Sequence, residues 1–435
     1  MNTSLSRVSN RFLMLVALTA LAGCGGGYGG GGGGGGGYSY TVGGTVTGLN
    51  GAGLVLRDNG GDDLAVSASG MFTFATKVAN GAMYAVTVYV QPTSPVQNCM
   101  VTYGSGTMGS SNIINVAVSC TTVVSGTFVG VDYATSGDVG SLGTTILDGM
   151  GNYTSTSDEN DAGTIVTAIA DVGVYTVAAG GAMTIDTNVG AVSADGNMIV
   201  ISDTTALDAA YIDVEVNQGQ ASFANVDFMG TYEVVTYGNS GDSSTLWTIT
   251  ADGLGGFTGT QVQNNGGVIS SSSAISGTYA VGLDGSLALI PTGSAALAGG
   301  IGTGGNLFVL SQLTAGQGPS FTVGVKQGQS TFTNASVSGT YKLVTHENSG
   351  DSGVLLTITF DGAGNINGTA ISNDLGVISN FAVMGTYSVT ASGALTVSPT
   401  GGTPFTGGVS ADGNAIVLAS LNALDPPDVV IGVRL

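Results

Sequence analysis

Apolar residues recur at every second position along much of this chain. In "GLVLRDNGGDDLAVSASGMFTF" the pairs Leu54 and Leu56, Leu64 and Val66, and Phe72 and Phe74 mark three short runs. Asn-Gly-Gly and Ser-Gly separate them. A period of two, broken by such residues, predicts strands joined by tight turns. No helical period runs through the stretch. Residues 40–121 read as an antiparallel β-sandwich of about seven strands.

Beyond residue 124 the pattern repeats itself. "GTFVGVDYATSGDVG" at 126, "GTYEVVTYGNSGDSS" at 230 and "GTYKLVTHENSGDSG" at 339 open three copies. Later landmarks keep their order: "LDGMGNYTST", "ADGLGGFTGT" and "FDGAGNINGT", then "GVYTV", "GTYAV" and "GTYSV". The period of about 105 residues is the size of a domain, and longer than the roughly 20–50 residues of a solenoid turn or propeller blade. The copies span 124–222, 226–332 and 336–435.

Asp-Gly-x-Gly joints predict hairpins in which glycine supplies a positive φ. Eight or nine strands follow in each copy; in the third, Gly376–Phe381 and Gly385–Thr390 read as two of them. A meander of that length removes its edges by closing into a barrel. The expected fold is all-β: an N-terminal antiparallel β-sandwich followed by three tandem antiparallel meander or barrel-like β repeats. Flattened sandwiches, or two propeller blades per repeat, are the alternatives. The GT-aromatic opening followed by hairpins is similar to calycins, the lipocalin- and avidin-like barrels. The 40–121 unit resembles small sandwich modules near the N-terminus of bacterial surface lipoproteins, which implies a mostly structural role.

The start of the chain has a different texture. Arg7 and Arg11 precede an apolar run, Phe12 to Leu21, shorter than the roughly 20 residues a spanning helix needs. Leu21, Ala22, Gly23 and Cys24 follow, and they resemble the lipobox of bacterial lipoproteins. The resemblance implies a signal peptide over 1–23, cleavage before Cys24, and a diacyl (palmitate-type) modification of the Cys24 sulfur. Gly25 in place of an aspartate implies sorting to the outer membrane, on its periplasmic or surface face. Residues 25–37 are glycine except Tyr28, so 24–39 is a lipidated cysteine and a flexible tether spanning on the order of 20 Å. A phosphate-binding loop fits poorly, since no strand precedes the glycines and no Lys-Ser/Thr follows.

Charge narrows the partners. From Cys24 onward five cations, Arg57, Lys77, Lys326, Lys342 and Arg434, face 28 acids, a formal charge of −23. Such a chain repels nucleic acid and anionic membrane. Membrane attachment then rests on the lipid, and an envelope protein or a glycan is the expected kind of partner. With Cys24 acylated, Cys99 and Cys120 are left as a disulfide pair in an oxidising compartment.

Candidate chemistry is sparse. His346 is the one histidine, and "GDSG" at 350–353 looks like the serine motif of chymotrypsin-type proteases. His346 lies six residues from Ser352 on one hairpin, and the other copies read "GDSS" and "GDVG", so a polar turn is expected. Asp58, Asp62 and Asp63 in "DNGGDD", and Asp158, Glu159 and Asp161 in "DEND", cluster oxygens in expected loops. Calcium takes such ligands, but neither stretch has EF-hand or β-roll spacing. Solvated acids are therefore expected, calcium is the alternative, and no cofactor is assigned. Trp247, Tyr232, Tyr279, Tyr341 and Tyr387 read as core, with a sugar-stacking platform as the alternative. Together these features predict a non-enzymatic, surface-displayed lipoprotein with a structural, adhesive or partner-binding role. The alternative is a ligand-binding module, for a small apolar molecule or a glycan, or a hydrolytic one.

Overall fold

The computed structural model describes residues 38–93, 96–134, 139–178, 180–202, 211–238, 243–328, 331–347, 352–374, 377–423 and 426–435. The signal segment, Cys24, residues 25–37 of the tether, Gly350 and Asp351 lie outside the described residues.

Two four-stranded sheets form the N-terminal sandwich. One runs Gly70–Thr73, Val42–Thr47, Ile113–Thr122, Gln97–Thr102; the other runs Asp62–Val66, Leu54–Asp58, Met83–Val90, Ser105–Thr107. Alternate residues of both, among them Val42, Val46, Leu54, Leu56, Phe72 and Val118, share one core. One pairing departs from the expected antiparallel order: Ile113–Thr122 lies parallel to Val42–Thr47. These two strands are far apart in the chain, so no hairpin dictates their relative direction. Cys99 and Cys120 stand opposite each other on adjacent antiparallel strands and are disulfide-bonded, with Cα atoms 3.9 Å apart.

Each repeat is a barrel. Residues 125–217 and 339–434 each form a closed barrel of eight antiparallel strands in chain order. The middle copy, 229–327, has an extra two-residue strand, Val268–Ile269. It closes too, because Met229–Gly238 pairs with both Ser243–Asp252 and Ser320–Gln327, and Ser243–Asp252 pairs on with Gly256–Asn265. The shared Asp-Gly-x-Gly joints are the same turn three times. Asp148, Asp252 and Asp361 each accept backbone N–H groups from the turn at 2.7–3.0 Å. Gly149, Gly253 and Gly362 follow with φ of 75°, 76° and 77°, a conformation that costs glycine least.

The third copy corrects one expectation. The two strands read at 376–390 are one, Val377–Val389. Gly385 does not break it. A Cβ there would lie 2.3 Å from the Ser398 carbonyl oxygen, so the glycine serves a close approach between strands.

The seventh strands, Met198–Ser202, Leu307–Ser311 and Ala415–Ser420, are buried on both faces. One face lines the strand's own barrel and the other packs on a neighbour. The contacts are cyclic: the first and last strands of each barrel meet the sixth and seventh of the next, and the third barrel returns to the first. Matching carbonyls mark the three seams. Asn217 accepts from the Thr303 hydroxyl at 3.1 Å, Lys326 from the Ala411 N–H at 2.9 Å, and Arg434 from the Ala194 N–H at 2.8 Å. Head-to-tail contacts that close after three steps give a ring, here within one chain. Its centre is an apolar core shared by all three barrels, including Val131, Val214, Val235, Val323, Val344 and Ile431.

Candidate functional site

The sequence candidates sit as follows. The first strand of the third barrel runs Gly339–Glu347, so His346 belongs to the strand rather than to a polar turn. It is fully buried against Tyr133 and Tyr237, with ring centroids 5.0 and 4.4 Å away. These three residues hold the same position in the three first strands and meet on the ring axis. Ser352 opens the following strand, opposite Glu347 in register.

The acidic stretches are not loops. "DNGGDD" is a hairpin between Leu54–Asp58 and Asp62–Val66. Asp58 accepts the Ala85 N–H at 2.8 Å, and Asp62 accepts the Thr76 N–H at 2.9 Å. Asp63 pairs with Arg57, whose guanidinium lies over the Tyr89 ring. "DEND" forms the end of the strand Asn152–Asp161, and Asn160 within it is a seam residue. The Asn160 amide is buried and donates to the Gln312 and Gln317 carbonyls of the second barrel at 2.6 and 3.2 Å. Asn264 repeats this toward Ser420 and Pro426 of the third barrel at 3.2 and 3.4 Å. Asp158 accepts the Ala168 N–H at 2.9 Å, while Glu159 and Asp161 flank Asn160. Among the described residues, no group of three or more His, Cys, Asp or Glu is arranged to hold a metal ion.

The aromatic candidates are buried core. Tyr232, Tyr279, Tyr341 and Tyr387 donate their hydroxyls to the carbonyls of Gly305, Asn225, Gly413 and Asn334. Trp247 packs with Phe257 and Phe308 inside the second barrel.

The three lumens differ in chemistry. Register aligns Gly143 of the first barrel with Trp247 and Leu356, and Thr145 with Ile249 and Ile358. At these positions the second and third barrels carry apolar side chains; the third keeps a mainly apolar cavity of about 180 Å³ beside Leu343, Leu356, Phe381 and Phe405, with Asp428 in its wall, and the second keeps one of about 240 Å³ beside Trp247, Thr236, Gln261 and Gln312. The first barrel encloses a polar cavity of about 230 Å³ instead. Asp132, Asp171, Asp186, Asp213 and Glu215 line it, with Tyr153 and Tyr211. Among the described lining residues there is no Lys, Arg or His.

Local geometry explains how these acids are held. Glu215 is 5% exposed; its Oε1 accepts the Thr145 hydroxyl at 2.6 Å, and its Oε2 has no hydrogen-bond partner. Burial raises its carboxyl to about 7. Asp132 and Asp213 stand opposite each other on neighbouring strands, and burial raises both, with nearby carboxylates adding to the effect. Ser141 donates to Asp132. Gly130 lacks a side chain because a Cβ there would lie 2.7 Å from the Glu215 Cγ. At the exposed side, the Tyr153 hydroxyl lies 2.7 Å from both Asp171 Oδ2 and Asp186 Oδ2.

These acids escaped the reading of the sequence, although a signal existed. "VDYA" and "IDVEV" place acids at lumen positions of the first and last strands. The sister copies have Thr236, Thr322 and Gly324, or Thr345, Val430 and Gly432, at those positions. The ring also had a signal: "MIVIS", "LFVLS" and "AIVLAS" are unbroken apolar runs, the mark of a strand covered on both faces.

No protein-family model matches the chain, and no curated protein does. The chain is similar to several solved structures, among them the following two. Kievitone hydratase from Nectria haematococca is 10% identical, covers 72% of this chain and 90% of its own, and gives a TM-score of 0.21. The H. pylori beta clamp in complex with diflunisal is 8% identical, covers 71% and 91%, and gives 0.10. Both scores fall below 0.5, so neither likeness carries an argument about this protein.

Proposed function

We propose that this chain is an exported bacterial lipoprotein, held by lipidated Cys24 to the outer membrane, whose folded body is a non-enzymatic structural, adhesive or partner-binding element. The observation that carries the reading is the use of His346. The one histidine is fully buried between Tyr133 and Tyr237 on the ring axis, where it packs the barrels together. Residues common to the three copies are turn aspartates, glycines and core tyrosines, and these serve the fold. Eight antiparallel strands in up-and-down order are the architecture of lipocalin-type barrels, which supports the calycin resemblance. The glycine tether gives the body room to stand off the lipid headgroups. The open lumen of the first barrel favours the second reading, a ligand-binding module.

Fractionation of cells expressing the wild type and Cys24→Ser tests the reading. The wild type is expected in the outer-membrane fraction, and the variant in soluble export fractions or unprocessed. A wild-type protein that is soluble, or a variant that stays in the membrane, overturns it.

A further inference from the structure

We propose that the lumen of the first barrel binds a small organic ammonium cation. The inference deepens the ligand-binding reading and does not depend on the lipid anchor.

Several independent observations converge. The lumen holds a buried carboxylate, Glu215, whose Oε2 has no hydrogen-bond partner and which is among the residues lining a cavity of about 230 Å³. A buried, unpaired carboxylate is costly, and a cation at the same place offsets that cost. Asp132 and Asp213 stand beside it with no cation among the described lining residues. At the open side one hydroxyl proton, that of Tyr153, is shared between Asp171 and Asp186 at 2.7 Å each. The Val174 N–H also donates to Asp186 Oδ1 at 3.0 Å, and the two carboxylates together still have acceptor capacity for a further donor.

The sister barrels act as an internal control. Where the first barrel has Glu215 opposite Ile199, the second has Gly324 opposite Phe308, and a Cβ on Gly324 would strike the Phe308 ring at 2.0 Å. Where the first has Gly143, the second has Trp247. Structural need at these positions is thus met by apolar filling. The first barrel gathers five acids around its lumen, whereas the third has one, Asp428, in an otherwise apolar cavity and the second has none among the described lining residues.

Size and chemistry set the ligand class. The cavity is smaller than the roughly 300–1,000 Å³ of sites for drug-sized ligands, so the occupant is small. A bare metal ion is disfavoured, because no three acids are gathered at ligating distance among the described residues. An ammonium group with several N–H donors suits carboxylates spread along a cavity. The rings of Tyr153 and Tyr211 in its wall add cation–π attraction. The chain's excess of acids favours the approach of any cation.

Calorimetric titration of the full mature protein tests the assignment. The probes are the diamine putrescine, the uncharged diol of the same length, and calcium chloride. One saturable putrescine site is expected, with no binding of the diol. Glu215→Gln and Asp213→Asn, both isosteric, are each expected to weaken it by roughly thirtyfold or more. Thr322→Val, at the matching position of the second barrel, is expected to leave it unchanged. Should one acid variant fail to fold by circular dichroism, the other decides. Absence of putrescine binding, calcium binding in its place, or binding indifferent to the folded acid variant overturns the proposal. Loss of the lipid anchor in the Cys24→Ser protein has no bearing on this titration, so the two readings fail separately.

Discussion

Tyr237 of the second barrel and His346 of the third meet edge to face on the ring axis, with centroids 4.4 Å apart. Tyr133 of the first barrel completes the contact, 5.1 Å from Tyr237 and 5.0 Å from His346. Three rings from three repeats thus occupy one place. His346 is a packing residue there, and the prediction that follows concerns stability. His346→Ala is expected to lower unfolding free energy by about 3 kcal/mol, as for other buried rings truncated to alanine. Urea titration checks this, and an unchanged midpoint speaks against the axial role.

The seams are held by buried amides. Asn160→Ala removes the donor to the Gln312 and Gln317 carbonyls. Leaving a buried partner unsatisfied costs about 1–3 kcal/mol. The same change at Asn264 is expected to cost a similar amount, because its amide spans the equivalent seam. Thermal unfolding of both variants measures it; no shift in either contradicts the ring.

Stability should fall as pH rises through weakly acidic values. Glu233 is buried over Gly408 between the second and third barrels, and burial raises its carboxyl from 4.5 to about 7. Between these values the folded chain holds a proton that the unfolded chain has released. Stability is therefore lost as pH climbs from about 4.5 to about 7, by about 3 kcal/mol for a shift of this size. Glu215 acts in the same direction. The exposed turn carboxylate of Asp361 acts in the opposite direction. Hydrogen bonds from Asn365 and the turn lower it to about 2, so its contribution is lost as pH falls toward that value. Urea midpoints at pH 5 and pH 8 are expected to favour pH 5, and Glu233→Gln to shrink the difference. Equal midpoints for the wild type would falsify this.

Reduction of the Cys99–Cys120 bridge opens a loop with a sequence separation of 21. The chain-entropy model assigns such a loop about 3 kcal/mol. Hydrogen exchange after reduction is expected to rise across the sandwich and to stay low on the barrel strands, since domains unfold as units. Uniform loss of protection along the whole chain argues otherwise.

Much of the fold was legible because its signals are local. Asp252 and Gly253 fix their turn through bonds within a few residues, so the turn is written in sequence. Alternation in Leu54 and Leu56 fixes a strand face in the same way. Gly385 misled because one residue type marks both turns and close strand approaches, and only the opposite strand tells them apart. The parallel pairing in the sandwich and the ring of barrels depend on long-range contacts that leave weak local traces. The lumen acids were missed for a related reason. Alternation separates two faces of a strand such as Tyr211–Asn217 and does not say which one turns inward.

The measurement that bears most directly on the proposed function is the mass of the mature N-terminal peptide from protein purified out of its native envelope. The account predicts that it begins at Cys24 and carries a diacylglyceryl group on the sulfur. A mature chain that begins elsewhere, or a Cys24 with an unmodified thiol, contradicts it.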